Sequence, residues 1–526
     1  MKRDKEIDKK KSRKRNEESL TKSERQKVRE EEEKISFEDK WYIKIFEPKK
    51  NKSHNANIMR MSYIFVVLFM FLIAYFLYFV IVQGPQVITS PYNKRQNSEA
   101  EKIERGKILS ANDKILAQTV IGEDGEETRE YPYENMFAHV VGYDIQGKSG
   151  LESSASYKLL GTDANLLTQV ILSFKNEKNP GNNIVTSLDT RLQKAAYEAM
   201  EGKEGAVVAM EPSTGRVLAM VSKPDFNPNN MEEIWDELAN EDEHATLLNR
   251  AIQDLYPPGS TFKTVTALEY IKEYADTYNE YSYDCDGSII ENGVIINCYQ
   301  NAVHGTVDLK ESMAHSCNTS FVNMGTKLNM KEMYNTCNTL MFNKKIPFDL
   351  QVRKSKYELT NKTDSGQIPQ TMIGQGETLI TPLHNALIMS AVANKGIMMK
   401  PTLIDYVESY KGKVLEETEA KELATVMTKE QTKTLKGLLR AVVESGSAKD
   451  LYTDRYTVYG KTGSAEHGNT DETRAHAWFV GFSSYEKKSN LVVSVIVENS
   501  GTGREYAVPI AKRIFESYYN NELYEK

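Results

Sequence analysis

The sequence predicts an α+β fold with a central antiparallel sheet flanked by helices, preceded by a mostly β segment and by one transmembrane helix. Three observations predict this arrangement. Residues 61–82 contain no charged side chain. Residues 83–180 combine strand-like stretches with turn residues. From about residue 181 of the 526, helical patterns lie between apolar strand patterns at both ends of the segment, which indicates a central sheet.

The first element is the uncharged run "MSYIFVVLFMFLIAYFLYFVIV" at 61–82. As a helix it would be about 33 Å long, which matches the hydrocarbon core of a bilayer. A signal peptide is the competing interpretation, but this run is longer than a signal core and begins 60 residues into the chain. Because no face of the run is polar, a buried core helix explains it less well. We therefore predict a single membrane span.

The charges around the span predict its orientation. Residues 1–60 carry 20 Lys and Arg against 13 Asp and Glu, a net +7; since the whole chain carries −7, the remainder carries −14. Three lysines from residue 49 onward and Arg60 precede the span, so the positive-inside rule predicts a cytoplasmic basic tail at 1–60 and a C-terminal region outside the cell membrane. Lipid head groups are the simplest partner for this tail, and no nucleic-acid partner is predicted.

The region beyond the span divides into a spacer or docking segment at 83–180, where no catalytic residue types cluster, and a larger domain at 181–526. In that domain "IVTSLDTRLQKAAYEAM" predicts a strand and a helix capped near Ser187 or Asp189. A hairpin is predicted by "GAVVAMEPSTGRVLAMVS", and a helix stopped at Gly396 by "TPLHNALIMSAVANKG". The segments "YTVYGKTGSAEHG", "HAWFVGFSS" and "NLVVSVIVEN" predict adjacent antiparallel strands, and "AVPIAKRIFESYYNN" predicts a final helix.

The stretch "YPPGSTFK" contains Ser260 directly after Pro-Pro-Gly. Taken alone, this serine is best explained as a helix N-cap, because apolar residues recur at helical spacing behind it. Ser-x-x-Lys is also common by chance and recurs at 19–22 and 484–487. However, "SCN" at 316–318 and "KTG" at 461–463 follow in the same domain. The three motifs in this order are the signature of penicillin-binding proteins and class A β-lactamases.

The residue types of these motifs suit acyl transfer. Ser260 is a poor nucleophile until a base takes its proton, and Lys263 lies three residues later on the same helix face. A lysine acts as a base only when neutral, which burial and the nearby positive charge of Lys461 favour. Ser316 would relay the proton to the leaving nitrogen, and Asn318 would hydrogen-bond the substrate backbone.

The remaining residues of the third motif suit substrate binding. The backbone N–H groups of Ser260 and Ser464 are the natural oxyanion hole, one at a helix start and the other on a strand edge. The hydroxyls of Thr462 and Ser464, beside Lys461, suit a terminal carboxylate. Gly463 lets the strand approach a ligand closely.

From the span to its end, the chain resembles class B penicillin-binding proteins, the monofunctional D,D-transpeptidases of peptidoglycan synthesis. "RGKILSANDKILA" resembles the opening of the family's pedestal domain, "GLESSASYKLLG" its Gly-Leu-Glu segment, and "AMEPSTGRVLAMVSKPDFNPN" the start of its catalytic domain. "NRAIQDLYPPGSTFK", "IGQGETLITPLHNAL" and "HAWFVGF" fit as well. Ser464 stands where threonine is commoner, which keeps the hydroxyl and the N–H. No glycosyltransferase segment precedes the pedestal, which favours class B over the bifunctional class A.

The resemblance implies a penicillin-binding-protein or serine β-lactamase-like transpeptidase fold at 181–526 and a dimerisation-type pedestal at 83–180. It implies that Ser260 attacks the penultimate D-Ala carbonyl of a stem peptide on lipid II-derived glycan and releases D-Ala. The acyl group then passes to an amine of a neighbouring stem, and β-lactams acylate Ser260 as substrate mimics. No cofactor is required for this chemistry. A SEDS-type membrane polymerase is the implied partner.

Two alternative functions remain open from the sequence. In a D,D-carboxypeptidase or β-lactamase, water would take the acyl group, but no sequence element clearly positions such a water. A catalytically idle scaffold or β-lactam sensor is the alternative outside enzymes. Sensors of that kind usually have more spans and an intracellular signalling domain, which this sequence does not offer.

The four cysteines follow the span and leave more than one interpretation open. "CDGSIIENGVIINC" could be a hairpin closed by a Cys285–Cys298 disulfide, the usual state outside the cell. Together with His304 and Cys317, these cysteines form C-x12-C-x5-H-x12-C, a soft ligand set suited to structural zinc, which we favour. Some elongation-type members of the family hold zinc at this His and this Cys, so the spacing favours an elongation or sporulation role. Free thiols are the third possibility, and Cys337 has no evident role.

Overall fold

The computed structural model of the chain describes a defined set of residues in two compact units, 1–85 and 86–526. The described residues are 21, 23, 26, 27, 54–79, 102–123, 125–175, 177–241, 244–360, 362–466, 475–486 and 488–523. Most of the predicted cytoplasmic tail, the last residues of the predicted span and the first residues of the predicted pedestal lie outside this set. Each unit is described by itself.

The first unit contains helix α1, His54–Tyr78. Within it, Ile58–Tyr78 is long and apolar enough to cross a membrane, and none of that window is buried by protein. An apolar helix with no polar stripe and no protein covering is the element that a bilayer core solvates. The helix is therefore consistent with a single-pass membrane anchor.

The second unit contains the remaining helices and strands. Its helices are α2 Ala138–Val141, α3 Gly150–Ser154, α4 Ser156–Leu159, α5 Leu166–Lys175, α6 Thr190–Ala199, α7 Met231–Ala239, α8 Lys263–Glu273, α9 Leu309–Ala314, α10 Asn318–Gly325, α11 Met330–Thr339, α12 Ile368–Met372, α13 Pro382–Ala393, α14 Lys429–Glu444 and α15 Val508–Leu523. Its strands are β1 Ile103–Glu104, β2 Ile108–Leu109, β3 Ile115–Ile121, β4 Glu127–Glu130, β5 Asn179–Pro180, β6 Asn183–Thr186, β7 Gly205–Met210, β8 Val217–Lys223, β9 Ser282–Cys285, β10 Ser288–Glu291, β11 Val294–Asn297, β12 Gly305–Asp308, β13 Ile397–Met399, β14 Ile404–Glu408, β15 Val414–Glu417, β16 Glu422–Thr425, β17 Thr457–Ala465, β18 His476–Tyr485 and β19 Lys488–Val497.

The core of this unit is a five-stranded antiparallel sheet in the order β17-β18-β19-β7-β8. Every residue of β7 is buried, so both faces of the sheet are covered. Helix α13, buried along its whole length, packs against β7, β18 and β19, while α6 and α15 pack on each other and on the sheet. The predicted α+β domain with a central antiparallel sheet is therefore confirmed.

The predicted elements around this sheet are present. Asp189 caps α6, its carboxylate accepting hydrogen bonds from two backbone N–H groups of the first turn. Strands β7 and β8 form the predicted hairpin, and the three C-terminal segments are β17, β18 and β19 in adjacent positions. Gly396 follows the end of α13 with a φ of +92°, which glycine adopts without strain. The final helix is α15.

The segment predicted to be mostly β contains helices as well. Helices α2 to α5 occupy part of it, including "GLESSASYKLLG", which forms α3 and α4. These two helices have only five and four residues, too few for a helical period to be visible in the sequence. A six-stranded sheet in the order β15-β14-β6-β2-β3-β4 also joins strands on both sides of residue 180. The boundary at 180/181 stays a prediction.

A buried ion cluster joins the "RGK" and "GLE" segments. Arg105 donates to the Glu152 carboxylate at 2.5 Å from Nε, and Arg129 donates to its other oxygen at 2.8 Å. Arg105 also donates to the Glu152 carbonyl and to the Ser156 hydroxyl. Burial opposes ionisation of Glu152, but the positive charges of the two arginines outweigh it, so the pKa of Glu152 is lowered. The two sequence motifs thus meet in one ion-paired network.

We expect Glu152→Gln to lower the free energy of unfolding by about 3–5 kcal/mol, since the buried Arg129 loses its ion pair and Arg105 is left with the more distant Asp144 carboxylate at 3.7 Å. A carboxylate with a lowered folded-state pKa stabilises the protein above its unfolded value of 4.5, and this contribution disappears as the pH falls through the folded value. Denaturant titration at pH 7 and below pH 4 measures both effects. An acid-induced loss of stability that is as steep in Glu152→Gln as in wild type would contradict the stabilising role of the ionised Glu152 carboxylate.

Candidate active site

Ser260 lies in a short 3₁₀ turn, Gly259–Phe262, which leads directly into α8. The prediction that Ser260 caps the helix is wrong. Pro258 is the N-cap residue of the turn, Phe262 is the N-cap residue of α8, and Ser260 is the second residue of the turn. Gly259 starts the turn two residues earlier than a serine cap at 260 would, with a φ of +53°. Helix α8 is buried on all sides from Lys263 to Ile271, so the predicted apolar stripe is part of a fully enclosed helix.

The turn that carries Ser260 packs against strand β17. A Cβ on Gly259 would lie 2.9 Å from the Ser464 carbonyl, and a Cβ on Gly463 would lie 3.2 Å from the Pro258 carbonyl. Neither contact leaves room for a side chain without displacement. The two glycines therefore let the Ser260 turn and the "KTG" strand approach each other closely.

Lys263 connects the first motif to the second. Its side chain is fully buried, and Nζ donates to the Ser316 carbonyl at 2.7 Å, to the Ser316 hydroxyl at 3.1 Å and to Asn318 Oδ1 at 2.6 Å. Burial lowers the pKa of Lys263 from 10.5 to about 8. This lysine is therefore mostly protonated at pH 7, but its neutral fraction is much larger than that of an ordinary lysine and grows at mildly alkaline pH.

Lys461 connects the third motif to the same serine. Its Nζ donates to the Ser316 hydroxyl at 2.8 Å and to the Thr462 carbonyl at 3.1 Å. Burial, and then the positive charge of Lys263, lower the pKa of Lys461 well below its usual value. The Ser316 hydroxyl thus lies between two buried lysine amines. Ser316 itself has a φ of +55°, a strained conformation of the kind found at functional sites.

The structure brings the predicted catalytic residues of all three motifs to one place. Lys263, Ser316, Asn318 and Lys461 share hydrogen bonds, and the Ser260 turn is adjacent through its contacts with β17. Thr462 lies in the same strand, and its Oγ1 is 2.5 Å from Ser447 Oγ.

Ser447 is the site residue that the sequence analysis missed. It follows the C-terminal end of α14, in a loop remote in sequence from all three motifs. Its sequence context, "ESGSAKD", shows a turn but no chemical signal. Its hydroxyl fixes the orientation of the Thr462 hydroxyl.

We expect Ser447→Ala to slow β-lactam acylation about tenfold, mainly through weaker binding, because Thr462 Oγ1 loses the partner that orients it. The concentration dependence of acylation by a penicillin separates the binding constant from the acylation rate constant. Ser447→Thr keeps a hydroxyl and should recover most of the loss. If Ser447→Ala changes neither constant, the hydrogen bond has no role in binding.

A second cluster lies directly behind the "SCN" loop. The side chains of Cys285, Cys298, His304 and Cys317 place one ligand atom each within 4.8 Å of one another. Cys298 Sγ lies 3.7 Å from Cys285 Sγ and 3.8 Å from Cys317 Sγ, and His304 Nδ1 lies 3.3 Å from Cys285 Sγ. Two sulfurs on a tetrahedral zinc, each about 2.3 Å from the metal, are about 3.8 Å apart. The donor set and its spacing therefore fit zinc.

The same distances exclude the alternative pairing in this structure. A disulfide needs sulfurs about 2.05 Å apart, and all four cysteines are free. Hydrogen bonds from Cys317 and Thr319 lower the pKa of Cys298, which favours its thiolate form. Cys337 lies elsewhere, fully buried in the hydrophobic core, where burial raises the pKa of its thiol.

The cysteine cluster is coupled to the catalytic residues by short connections. Cys317 stands between Ser316 and Asn318 and is fully buried, pointing into the cluster. Asn318 Nδ2 donates to the carbonyl of Asn297 at 2.8 Å, and Asn297 is the residue before Cys298. The position of the "SCN" loop therefore depends on the packing of these side chains.

Comparison with known proteins gives the family. Residues 205–516 match the family described as "Penicillin binding protein transpeptidase domain". The chain belongs to this family. Residues 105–184 match the family described as "Penicillin binding protein A dimerisation domain", so both parts of a class B penicillin-binding protein are present, as the sequence predicted.

Two relatives and one solved structure illustrate the similarity of this penicillin-binding protein. It is 29% identical to "Peptidoglycan D,D-transpeptidase PbpA" of Mycolicibacterium smegmatis, covering 87% of this chain and 98% of that protein. It is 27% identical to "Stage V sporulation protein D" of Bacillus subtilis, covering 79% and 72%. The imipenem acyl-enzyme complex of penicillin-binding protein A from M. tuberculosis superposes with a TM-score of 0.72 at 29% identity, covering 80% of this chain and 99% of that one.

Proposed function

We propose that this penicillin-binding protein is a peptidoglycan D,D-transpeptidase that cross-links stem peptides through an acyl-enzyme on Ser260. The observation that carries the proposal is the Ser316 hydroxyl, which lies 3.1 Å from Lys263 Nζ and 2.8 Å from Lys461 Nζ beside the Ser260 turn. The names of the mycobacterial relative and the acyl-enzyme structure support the same reaction.

In the proposed acylation, Ser260 Oγ attacks the carbonyl of the penultimate D-Ala, and neutral Lys263 takes the hydroxyl proton. The peptide bond to the terminal D-Ala breaks, and Ser316 passes a proton to the leaving nitrogen. The backbone N–H groups of Ser260 and Ser464 stabilise the oxyanion. The lowered pKa of Lys263 supports its role as base, because a lysine with its usual pKa would be almost fully protonated at pH 7.

Substrate binding is assigned to β17 and to Asn318. Thr462, Ser464 and the amine of Lys461 would hold the terminal carboxylate of the stem peptide, whose negative charge would favour the protonated form of Lys461. Gly463 keeps the strand open to close approach. Asn318 would bind the peptide backbone through its amide. A β-lactam would occupy the same positions and acylate Ser260.

The proposed topology places these residues outside the membrane. Helix α1 provides the single span, and the excess of Lys and Arg before it favours a cytoplasmic N-terminus. The transpeptidase domain then faces the extracytoplasmic side, where stem peptides are cross-linked. A SEDS-type glycan polymerase in the membrane is the partner that the family resemblance implies.

We also assign a structural Zn²⁺ to Cys285, Cys298, His304 and Cys317. The sulfur spacings of 3.7 and 3.8 Å and the closed Cys3His donor set support this assignment. The ion would hold the "SCN" loop through Cys317 and take no part in the acyl transfer.

Product analysis tests the proposed reaction. The full-length protein in detergent would be given glycan strands bearing donor pentapeptide stems, with labelled acceptor stems. Release of D-Ala together with a cross-linked product is expected. D-Ala release without cross-links would identify a carboxypeptidase, and no D-Ala release would leave the idle-scaffold interpretation.

A further inference from the structure

A basic groove of about 500 Å³ lies along α14, outside the catalytic residues described above. Its cationic side chains come from α14 and from the turn after α13, and Tyr459 of β17 lines it as well. They are Lys395, Lys429, Lys433, Lys436 and Arg440, with Gly437 between them. Neither the transpeptidase motifs nor the cysteine cluster contributes a residue to this groove.

The charges in the groove are concentrated and largely uncompensated. Positions 429, 433, 436 and 440 recur at helical spacing, so four cations share one face of α14, an arrangement that destabilises a helix unless an anion is present. Arg440 pairs with Glu444 at 2.9 Å, whereas no carboxylate pairs with the four lysines among the residues that the structure describes. Residues 61–526 carry a net charge of −14, so a cluster of positive charge is unusual in this part of the chain.

Lys436 is half-buried in the groove and has no anionic partner among the described residues. Its Nζ donates to the Ala393 carbonyl at 3.1 Å and lies 5.5 Å from the centre of the Phe482 ring. Burial, and then the positive charge of Lys395, lower the pKa of Lys436. Lys436 of α14 and Lys395 of the turn after α13 line the same groove, and a bound anion would relieve their repulsion.

Gly437 is an unusual residue for the middle of a helix, where it lies on the exposed face of α14. Glycine there costs about 1 kcal/mol relative to alanine. A Cβ at this position would meet nothing within 4 Å, so packing does not require glycine. The missing side chain leaves the floor of the groove open between Lys433 and Arg440.

We propose that the basic groove binds a polyvalent phosphate anion. Lysine ammonium groups are established phosphate ligands, each offering three donors, and five cations on one groove match several negative charges rather than one. Two sources carry this chemistry outside the membrane, a phosphodiester polymer of the cell envelope and an anionic phospholipid headgroup. The proposal is independent of the transpeptidase reaction.

Titration of the full-length protein in non-ionic detergent with inorganic tripolyphosphate tests the proposal by calorimetry. Saturable binding that weakens with rising salt is expected. The double variant K433Q/K436Q should bind about 100-fold more weakly, roughly tenfold per lysine at 1.4 kcal/mol each. Gly437→Leu, which fills the groove while favouring the helix, should weaken binding without lowering the unfolding temperature. Lys331→Gln, an exposed lysine of α11, is the matched control and should bind as wild type.

The outcomes distinguish phosphate binding in the basic groove from a general attraction of the anion to lysines on the protein surface. Equal binding by wild type, K433Q/K436Q and Gly437→Leu, or equal weakening in Lys331→Gln, would overturn the proposal, as would no binding at all. Displacement of tripolyphosphate by soluble poly(glycerol phosphate) assigns the polymer. Displacement by phosphatidylglycerol incorporated into the detergent micelles assigns the headgroup. Displacement by neither overturns an envelope ligand for the groove.

Discussion

Ser260→Ala is expected to abolish acylation by a fluorescent penicillin, with a loss in rate on the order of 10⁴-fold or more. The substitution removes the Ser260 hydroxyl from the turn that leads into Lys263, whereas the neighbouring Thr261 hydroxyl donates to the Pro258 carbonyl at 2.8 Å. Removing the proposed nucleophile leaves no route to a covalent intermediate, whatever the remaining binding residues contribute. Because Ser260 is partly exposed, the unfolding temperature should stay close to that of wild type.

Ser484→Ala is the matched control for this variant. Ser484 belongs to the other Ser-x-x-Lys sequence of the domain, at 484–487, and lies on β18 opposite Thr457. The Ser484→Ala protein should react with the fluorescent penicillin at the wild-type rate, as measured by in-gel fluorescence over a time course. Labelling of Ser260→Ala at more than a few per cent of the wild-type rate would contradict the role of Ser260.

Cys298→Ser is expected to abolish zinc binding at the proposed Cys3His site and to lower both stability and acylation. Metal binding contributes directly to the folding free energy of a closed Cys3His site, so the unfolding free energy should fall by several kcal/mol. Cys298 Sγ contacts Cys317 Sγ, and Cys317 lies between Ser316 and Asn318. A displacement of about 1 Å in that loop can slow a reaction about 100-fold.

Metal analysis of the purified full-length protein measures the loss of zinc. Thermal unfolding measures the loss of stability, and penicillin labelling measures the loss of acylation. Cys337→Ala is the control, since Cys337 is a buried core residue outside the cluster and should leave the zinc content unchanged. A wild-type protein purified without zinc that carries an intact Cys285–Cys298 bridge would rule out the zinc assignment.

The sequence predicted the catalytic constellation because each motif keeps its chemistry within three or four consecutive residues. The structure then brings Lys263, Ser316 and Lys461 within hydrogen-bond distance. Ser447 could not be predicted, because its contact with Thr462 joins two segments that share no spacing or composition. The cysteine cluster could be predicted from the spacing of its residues in the sequence, since a short hairpin brings its first two cysteines together.

Other errors have local physical causes. Sequence preference places serine at helix caps, but Gly259 takes a left-handed conformation and begins the turn before Ser260. The helices α3 and α4 are shorter than the period needed to recognise them. Glu152 showed no charge partner in sequence, because Arg105 and Arg129 reach it across 47 and 23 residues.

Peptide mapping of the penicillin-treated protein tests the central claim most directly. Trypsin cleaves after Arg250 and Lys263, so residues 251–263 form one peptide that contains Ser260 and Thr261. We predict that the full mass of the β-lactam is added to this peptide and that fragmentation places it on Ser260. An adduct on Thr261, on any other peptide, or on none while the protein remains folded would contradict an acyl-enzyme at Ser260.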